Sequence, residues 1–309
     1  EGWLTRYAGS GYAAPFGALS LNENIVVVAI HPDGRVLLEP AVPNIPVENT
    51  VRVTGGAGTS VRVFRAADGR VVARGTVGRR AAVRRLQLVV GDPTLYTAGA
   101  FRAALEEAGV RVEGGLRTGA APAGAAPVAH VDSPPLRDLV AVMNRESINH
   151  FAENIFRNAV RGPRRDAVGS AEAGNALLQR FLGERAGVPP GTITVTDGSG
   201  LSVLDSVTAR GMIRMLGYAH RAPWAEAFHA SLPVAGESEL MRHRMVGTPA
   251  QGNLHAKTGT TNDVIALGGY VTAEDGEVLA FYFTFNGRDR WNARATIDAM
   301  GATLAGFSR

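Results

Sequence analysis

The sequence of 309 residues contains no cysteine, a single lysine and no long apolar run. Without cysteine the chain forms no disulfide, offers no thiol nucleophile and cannot hold zinc through sulfur. Its longest apolar stretches, such as Ile25–Ile30, have the length of a strand, whereas a helix that spans a bilayer needs about 20 apolar residues. The sequence therefore predicts a globular chain with no transmembrane segment.

Aromatic residues make up only 6% of the chain, and its seven histidines show no spacing typical of metal ligands. No pair of them has the His-Glu-x-x-His pattern that places two imidazoles on one helix face. The basic residues are spread over many segments, and no nucleic-acid-binding module is recognisable despite a net charge of +4. We therefore predict no metal, no cofactor and no nucleic-acid partner.

The single lysine, Lys257, is the centre of the candidate site. All other basic side chains are arginine, so a compact ammonium stands where arginine is the rule. Lysine is a point charge that can lose its proton when it is buried, which indicates chemistry or close binding of an anion. Lys257 begins the run Lys257-Thr258-Gly259-Thr260, directly before two long apolar strands. The structural alternative is a surface lysine before a turn glycine.

Two other polar stretches are candidates for the same site. Ser147-Ile148-Asn149 lies between two helical segments, where a short loop can present a hydroxyl and an amide together. Asp197-Gly198-Ser199-Gly200-Leu201-Ser202 is a tight polar turn whose structural alternative is a loop that leads into a helix. Neither a Walker loop nor a G-x-S-x-G elbow is present, because Ala256 precedes Lys257 and Asp197 stands two residues before Ser199.

The pattern along the chain predicts an α+β protein. Residues 22–92 are mostly short strands, with strand–turn–strand patterns around Asp-Gly turns. A helix is predicted over residues 95–109, a return to strand over 110–112, and a linker rich in alanine, proline and glycine over 118–129. Residues 131–230 are mainly helical, and the end of the chain predicts a hairpin over 264–272 and 278–286 followed by a helix over 291–307.

The order S-x-N, then Asp-Gly-Ser-Gly-Leu-Ser, then Lys-Thr-Gly-Thr before a hairpin and a terminal helix resembles the penicillin-recognising serine acyltransferases. More narrowly, it is similar to the class C low-molecular-mass penicillin-binding proteins, the D-alanyl-D-alanine carboxypeptidase/endopeptidases. The resemblance implies a β-lactamase/transpeptidase-like domain with a β-rich inserted domain. Residues 1–21 would be the tail of the first part of the transpeptidase-like domain, residues 22–130 the insertion, and residues 131–309 the remainder.

One departure from the family pattern concerns the nucleophile. The family uses the serine of an S-x-x-K motif, but this chain has Leu254 three residues before its only lysine. We expect the missing motif to precede Glu1, in a chain truncated at its N-terminus and without an export signal. Such a chain, incomplete in its transpeptidase-like domain, should be nearly inactive alone. The resemblance also implies a periplasmic or extracellular location in the cell envelope.

The resemblance implies a role for most residues of the motifs. Ser147 would relay a proton to the leaving nitrogen, and Asn149 would hold the peptide amide. Lys257 would lie near the carboxylate of a D-Ala-D-Ala stem peptide of peptidoglycan, and β-lactam antibiotics would bind in the same cleft. Ser199 and Asp197 are typical of the family, but we assign them no chemical step.

The remaining residues of the lysine motif would bind the substrate. The hydroxyls of Thr258 and Thr260 would bond the same carboxylate, Gly259 would let the backbone approach the ligand, and the Thr260 N–H would form half of an oxyanion hole. Two alternatives stay open. One is a non-catalytic peptidoglycan-binding or scaffold protein with a retained cleft; the other is a β-lactamase, which the long β-rich stretch before Ser147 disfavours.

Overall fold

The structure is a computed structural model that describes residues 2–7, 9–120, 122, 124–162, 168–238 and 240–309. The chain divides into two compact units: Glu1–Leu4 together with Val131–Arg309, called the Lys257 unit below, and Thr5–His130, called the β-rich unit. The units divide after Leu4 and after His130. The ranges 1–21, 22–130 and 131–309, which the family resemblance implies, stay a prediction. Glu1, Ala8 and, in the predicted linker, Ala121 and Ala123 lie outside the described residues.

The β-rich unit consists of short strands followed by a helix, as the sequence predicts. Its elements are β1 (Ile25–Ile30), β2 (Val36–Glu39), β3 (Val47–Thr54), β4 (Thr59–Arg65), β5 (Val71–Gly78), β6 (Arg84–Val89) and α1 (Pro93–Glu107). The predicted strand over residues 110–112 is wrong, since those residues are irregular. Val110 instead donates its N–H to the carbonyl of Leu105 and closes the end of the helix.

Two sheets form in the β-rich unit. One has the order β2-β1-β6 with antiparallel pairing, and α1 packs on it through Tyr96, which is almost fully buried. The Tyr96 hydroxyl donates to the Ile25 carbonyl at 3.0 Å, so the polar end of this large core side chain is satisfied. The other sheet has the order β3-β5-β4, with β3 parallel to β5.

The Lys257 unit combines helices with a second antiparallel sheet. Its elements are α2 (Leu136–Glu146), α3 (Asn149–Arg161), α4 (Ala171–Glu184), β7 (Ile193–Thr194), β8 (Ser206–Val207), α5 (Ala209–Arg221), α6 (Ala225–Ser231), β9 (His255–Thr260), β10 (Val264–Thr272), β11 (Val278–Asn286) and α7 (Arg290–Ala305). The predicted hairpin and terminal helix are therefore confirmed as β10, β11 and α7. The predicted α+β fold class is confirmed as well. None of the described helices is long and apolar enough to cross a membrane.

The sheet of the Lys257 unit has the order β11-β10-β9, which leaves β9 at an edge. Ala256 and its neighbours on the same face pack against α7 in an apolar core that includes Ile297. The other face carries Tyr270, whose hydroxyl donates to the Leu216 carbonyl of α5 at 2.7 Å. Side chains alternate between the faces of a strand, so Lys257 lies on the same face as Tyr270, away from α7.

Candidate active site

Lys257 and Ser147 are 110 residues apart in the sequence and meet in the folded chain. The Lys257 Nζ lies 2.8 Å from the Ser147 Oγ and donates a second hydrogen bond to the Thr258 carbonyl at 2.8 Å. Burial lowers the pKa of Lys257 from 10.5 to about 8, because desolvation disfavours the ammonium. The amine therefore changes protonation near pH 8, below the usual range of a lysine, which suits both anion binding and proton transfer.

A sharp turn between two helices presents Ser147 and Asn149. Ser147 follows the last residue of α2 in a left-handed conformation, with φ 55° and ψ 49°, and its N–H bonds the Met143 carbonyl. Non-glycine residues adopt this conformation uncommonly, and such positions cluster at functional sites. Asn149 is the first residue of α3 and is half-buried. The S-x-N stretch thus spans the end of one helix and the start of the next.

The position of α2 depends on a buried polar pair. The Asn144 amide, one turn before Ser147, donates to the Ser231 Oγ at 2.8 Å, and that hydroxyl donates to the Phe228 carbonyl at 2.6 Å. Both Asn144 and Ser231 are buried, so each bond replaces one that water would make to the unfolded chain. This pair ties α2 to α6, close in sequence to the serine.

The outer edge of β9 is open beside the lysine. The Ala256 N–H donates to the Pro233 carbonyl at 2.9 Å, away from β10. Backbone groups alternate along a strand, so the N–H groups of Thr258 and Thr260 also point to that edge. In the described part of the chain this edge pairs only through the bridge from Val234 to His255. The edge beyond Lys257 can therefore accept an extended peptide as an added strand.

The pairing of β9 with β10 requires glycine at position 269 but not at position 259. A Cβ at Gly269 would lie 2.1 Å from the His255 carbonyl oxygen, so β9 and β10 can pair there only with glycine. A Cβ at Gly259 would meet the Ala266 Cβ at 3.5 Å, which is an ordinary contact. Packing within the chain therefore does not explain the glycine at 259, which is exposed on the open edge.

Thr258 and Thr260 lie on the strand face opposite Lys257, because they alternate with it along β9. Thr258 is half-buried and Thr260 is exposed. What they share with the lysine is the strand edge, where the Thr258 carbonyl already bonds the ammonium. A ligand that lies along this edge meets both faces of the strand.

The Asp197 and Ser199 side chains hold the polar turn together. Asp197 is buried and accepts hydrogen bonds from Trp3 Nε1 at 2.7 Å, Gly200 N at 2.6 Å and Ser202 N at 2.8 Å. The Ser199 hydroxyl donates to the Glu153 Oε1 at 2.8 Å. These contacts are those of a turn anchored to α3, and they explain the residue types without a chemical step.

A second carboxyl group lies beside this turn. Burial, with the neighbouring Asp197 as a further cause, raises the pKa of the Asp205 carboxyl to about 6. Hydrogen bonds from the N–H and hydroxyl of Thr196, at 2.7 and 2.8 Å, oppose that rise. The group closes the loop between β7 and β8.

Sequence reasoning missed Glu153, which is completely buried on α3. The available signal was its position four residues after Asn149, which places both side chains on one face of the helix. A charged side chain is rarely buried without polar partners, so a glutamate on the same helix face as Asn149 indicates such partners.

Sequence reasoning also missed a cavity of about 660 Å³ on the lysine face of the sheet. It is lined by His220, His229, His255 and Tyr270 among others, and by none of the predicted site residues. His220 Nδ1 and His229 Nε2 are 3.2 Å apart, and the His229 ring stacks on Tyr270 at 3.9 Å. Among the described residues, no three or more acidic or histidine side chains are grouped to hold a metal ion.

An edge strand with Lys-Thr-Gly, the hairpin and terminal helix behind it, and Ser-x-Asn at its lysine define the penicillin-recognising, transpeptidase-like class of proteins. The crystal structure of penicillin binding protein 4 (dacB) from Haemophilus influenzae shows the same fold. The similarity has a TM-score of 0.77 at 22% sequence identity and covers 98% of this chain and 70% of that one.

A family profile described as the D-Ala-D-Ala carboxypeptidase 3 (S13) family matches residues 1–306, and the chain belongs to this family. A D-alanyl-D-alanine carboxypeptidase of Actinomadura sp. is 36% identical, over 71% of this chain and 41% of the relative. Carboxypeptidase DacB of Mycolicibacterium smegmatis is 32% identical, over 69% of this chain and 46% of the relative. The chain spans less than half the length of these relatives. The predicted resemblance to low-molecular-mass penicillin-binding proteins is confirmed.

Proposed function

We propose that the edge of β9 binds the D-Ala-D-Ala end of peptidoglycan stem peptides, in a serine-type D-Ala-D-Ala carboxypeptidase or endopeptidase that works through an acyl-enzyme. The contact of Lys257 Nζ with Ser147 Oγ at 2.8 Å carries this proposal, because it joins the two family motifs of this chain in one place. Membership of the carboxypeptidase family supports the reaction type.

Recognition of the substrate would rest on its terminal carboxylate. The Lys257 ammonium is partly desolvated, so it attracts an anion more strongly than an exposed ammonium would. The hydroxyls of Thr258 and Thr260 add hydrogen bonds from the strand edge. β-Lactam antibiotics, which carry a carboxylate near a strained amide, would bind along the same edge.

The backbone of β9 would hold the scissile carbonyl. The Thr260 N–H points to the open edge, where it can donate to the oxygen that becomes negative in the tetrahedral intermediate. Gly259 leaves the edge bare, so that the ligand backbone can come close. The second oxyanion donor would come from the nucleophilic serine itself.

Ser147 and Asn149 would serve the leaving group. The serine of the S-x-x-K motif attacks the carbonyl between the two D-alanines, the C–N bond breaks, and D-alanine leaves with a proton on its nitrogen. Ser147, whose hydroxyl bonds Lys257, would pass that proton to the leaving nitrogen. Asn149 would hold the substrate amide. Water then hydrolyses the acyl-enzyme.

The 309 residues supply no S-x-x-K lysine, since Lys257 is the only lysine. We propose that this chain by itself binds the peptide but forms no acyl-enzyme, because losing a nucleophile or its base costs several powers of ten in rate. Membership of a family named for D-Ala-D-Ala carboxypeptidases supports a location in the cell envelope, where the proposed peptidoglycan substrate lies.

The test is peptide binding followed by covalent labelling. An N-acetylated peptide ending in D-Ala-D-Ala should bind the chain in calorimetry, and the same peptide with a C-terminal carboxamide should bind about tenfold more weakly or not at all. Gly259→Ala should abolish binding while the thermal transition stays that of wild type. Equal affinity for carboxylate and carboxamide would contradict the proposed role of Lys257.

Because these 309 residues contain no S-x-x-K pattern, a second candidate stays open, a non-catalytic peptidoglycan-binding or scaffold protein with a retained cleft. Fluorescent penicillin and intact-mass analysis of the native gene product, isolated from cell envelopes, separate the two. A covalent adduct on a serine outside these 309 residues supports the enzyme. Peptide binding without any adduct supports the scaffold, and an adduct on Ser147 or Ser199 contradicts the assigned roles.

A further inference from the structure

We propose that Glu153 is a positioning residue, which clamps the turn Asp197–Ser202 onto α3 and thereby fixes the start of the helix that presents Ser147 and Asn149. The inference rests on the proposed function of the Ser147 and Lys257 site.

One carboxylate oxygen of Glu153 accepts three hydrogen bonds from the turn. Its Oε1 receives the Gly198 N–H at 2.8 Å, the Ser199 N–H at 3.0 Å and the Ser199 hydroxyl at 2.8 Å. Its Oε2 lies 3.5 Å from Nε of Arg157, one helical turn further along α3. The side chain has no exposed surface. The three donors on Oε1 and the guanidinium near Oε2 offset part of the cost of burying this carboxylate, although Oε2 accepts no hydrogen bond from the described residues.

The turn also lies directly against the helix backbone. A Cβ at Gly198 would be 2.6 Å from the Ala152 carbonyl oxygen and 2.7 Å from the Phe156 Cβ. Only glycine allows this close approach. Because the turn also bonds Glu153, a shift of the turn along α3 would break those hydrogen bonds.

Asp197 makes the turn itself rigid. Its two oxygens bind the N–H groups of Gly200 and Ser202 and the indole of Trp3. The clamp therefore joins α3 to a stiff body and not to a mobile loop. This accounts for the motif that sequence reasoning left without a role.

A displacement of α3 at Glu153 would be transmitted to Asn149 and Ser147 over one helical turn. Glu153 lies four residues after Asn149, about 6 Å along the axis and on the same face. Ser147 precedes the helix by two residues, and its left-handed conformation is set by where α2 ends and α3 begins. Loss of the clamp should therefore loosen the contact between Ser147 and Lys257.

Glu153→Gln tests the clamp with little change in volume. If the amide oxygen faces the turn, the NH2 group meets the Arg157 guanidinium, donor against donor; if it is reversed, it meets the N–H groups of the turn. Either orientation leaves a buried donor unsatisfied. Ser199→Ala removes one of the three donors, and Glu184→Gln makes the same substitution at an exposed position of α4 as a control.

The readouts are peptide affinity and the NMR titration of Lys257, whose signal is unambiguous because it is the only lysine. We expect Glu153→Gln to weaken binding about tenfold and to raise the Lys257 titration midpoint, because water reaches the ammonium of a loosened site. Ser199→Ala should shift both in the same direction by less, and Glu184→Gln should shift neither.

The outcomes are distinct from those of the proposed function. A Glu153→Gln protein that is less stable but has wild-type affinity and midpoint overturns the inference and makes the carboxylate purely structural. If wild type does not bind the peptide, the proposed function fails, while the Lys257 midpoint still decides the clamp. If Glu153→Gln does not fold, Ser199→Ala decides by the same two measurements.

Discussion

Replacing Lys257 with methionine should stabilise the folded chain at pH 7, although it removes the central cation of the site. Burial lowers the pKa of Lys257 from 10.5 to about 8, so holding the ammonium in the folded chain costs about 3 kcal/mol relative to the unfolded chain. Methionine, however, cannot make the lysine's hydrogen bonds to the Ser147 hydroxyl and the Thr258 carbonyl, a loss of about 1 kcal/mol when both groups can bind water instead. Lys257→Met should therefore raise the free energy of unfolding by about 2 kcal/mol.

The sign of the pH dependence follows from the lowered pKa. Below pH 8 lysine is protonated in both states, and the full cost of burying the charge is present. Between pH 8 and 10.5 the unfolded chain binds a proton that the folded chain does not, so wild-type stability rises with pH. The advantage of the methionine variant should shrink across that window.

Two measurements check this. Denaturant unfolding of both proteins at pH 7 and pH 10 gives the difference in stability and its change with pH. Selective 13C labelling of lysine gives one NMR signal, whose midpoint should lie near pH 8. A midpoint above pH 10, or a methionine variant less stable than wild type at pH 7, would refute the reasoning.

Three further outcomes are expected. Gly269→Ala should destabilise the chain by about 3 kcal/mol in thermal unfolding, because its Cβ would lie 2.1 Å from the His255 carbonyl oxygen. Gly259→Ala should leave stability unchanged. Equal effects of the two variants would contradict the proposal that Gly259 is needed for ligand approach. Burial, with His220 and His255 nearby, lowers the pKa of His229, so stability should fall as pH drops below 6.5, and His229→Phe should flatten that decline; an unaltered acid profile would argue against it. Asn144→Ala should cost about 2 kcal/mol in unfolding by removing the buried partner of Ser231, and a neutral effect would show that the pair does not anchor α2.

Local patterns predicted most elements of the Lys257 unit. The two apolar runs around Asp275-Gly276 became β10 and β11 within the predicted bounds, because alternation and a turn signal lie in neighbouring residues. The predicted strand over residues 110–112 is wrong because it also rested on neighbouring residues alone. Valine is a residue type typical of strands, but the Val110 N–H bonds a carbonyl at the end of α1.

The composition of the sequence by itself determined that Lys257 is the only lysine of this chain, and the order of its motifs determined the family. These properties are local or additive along the chain. Only the tertiary structure decided that Ser147 lies 2.8 Å from Lys257, that burial lowers the lysine's pKa, and that Glu153 holds the Ser199 turn. Each of these depends on groups 46 to 110 residues apart in sequence, whose distance and desolvation exist only once α3, the turn and β9 have packed.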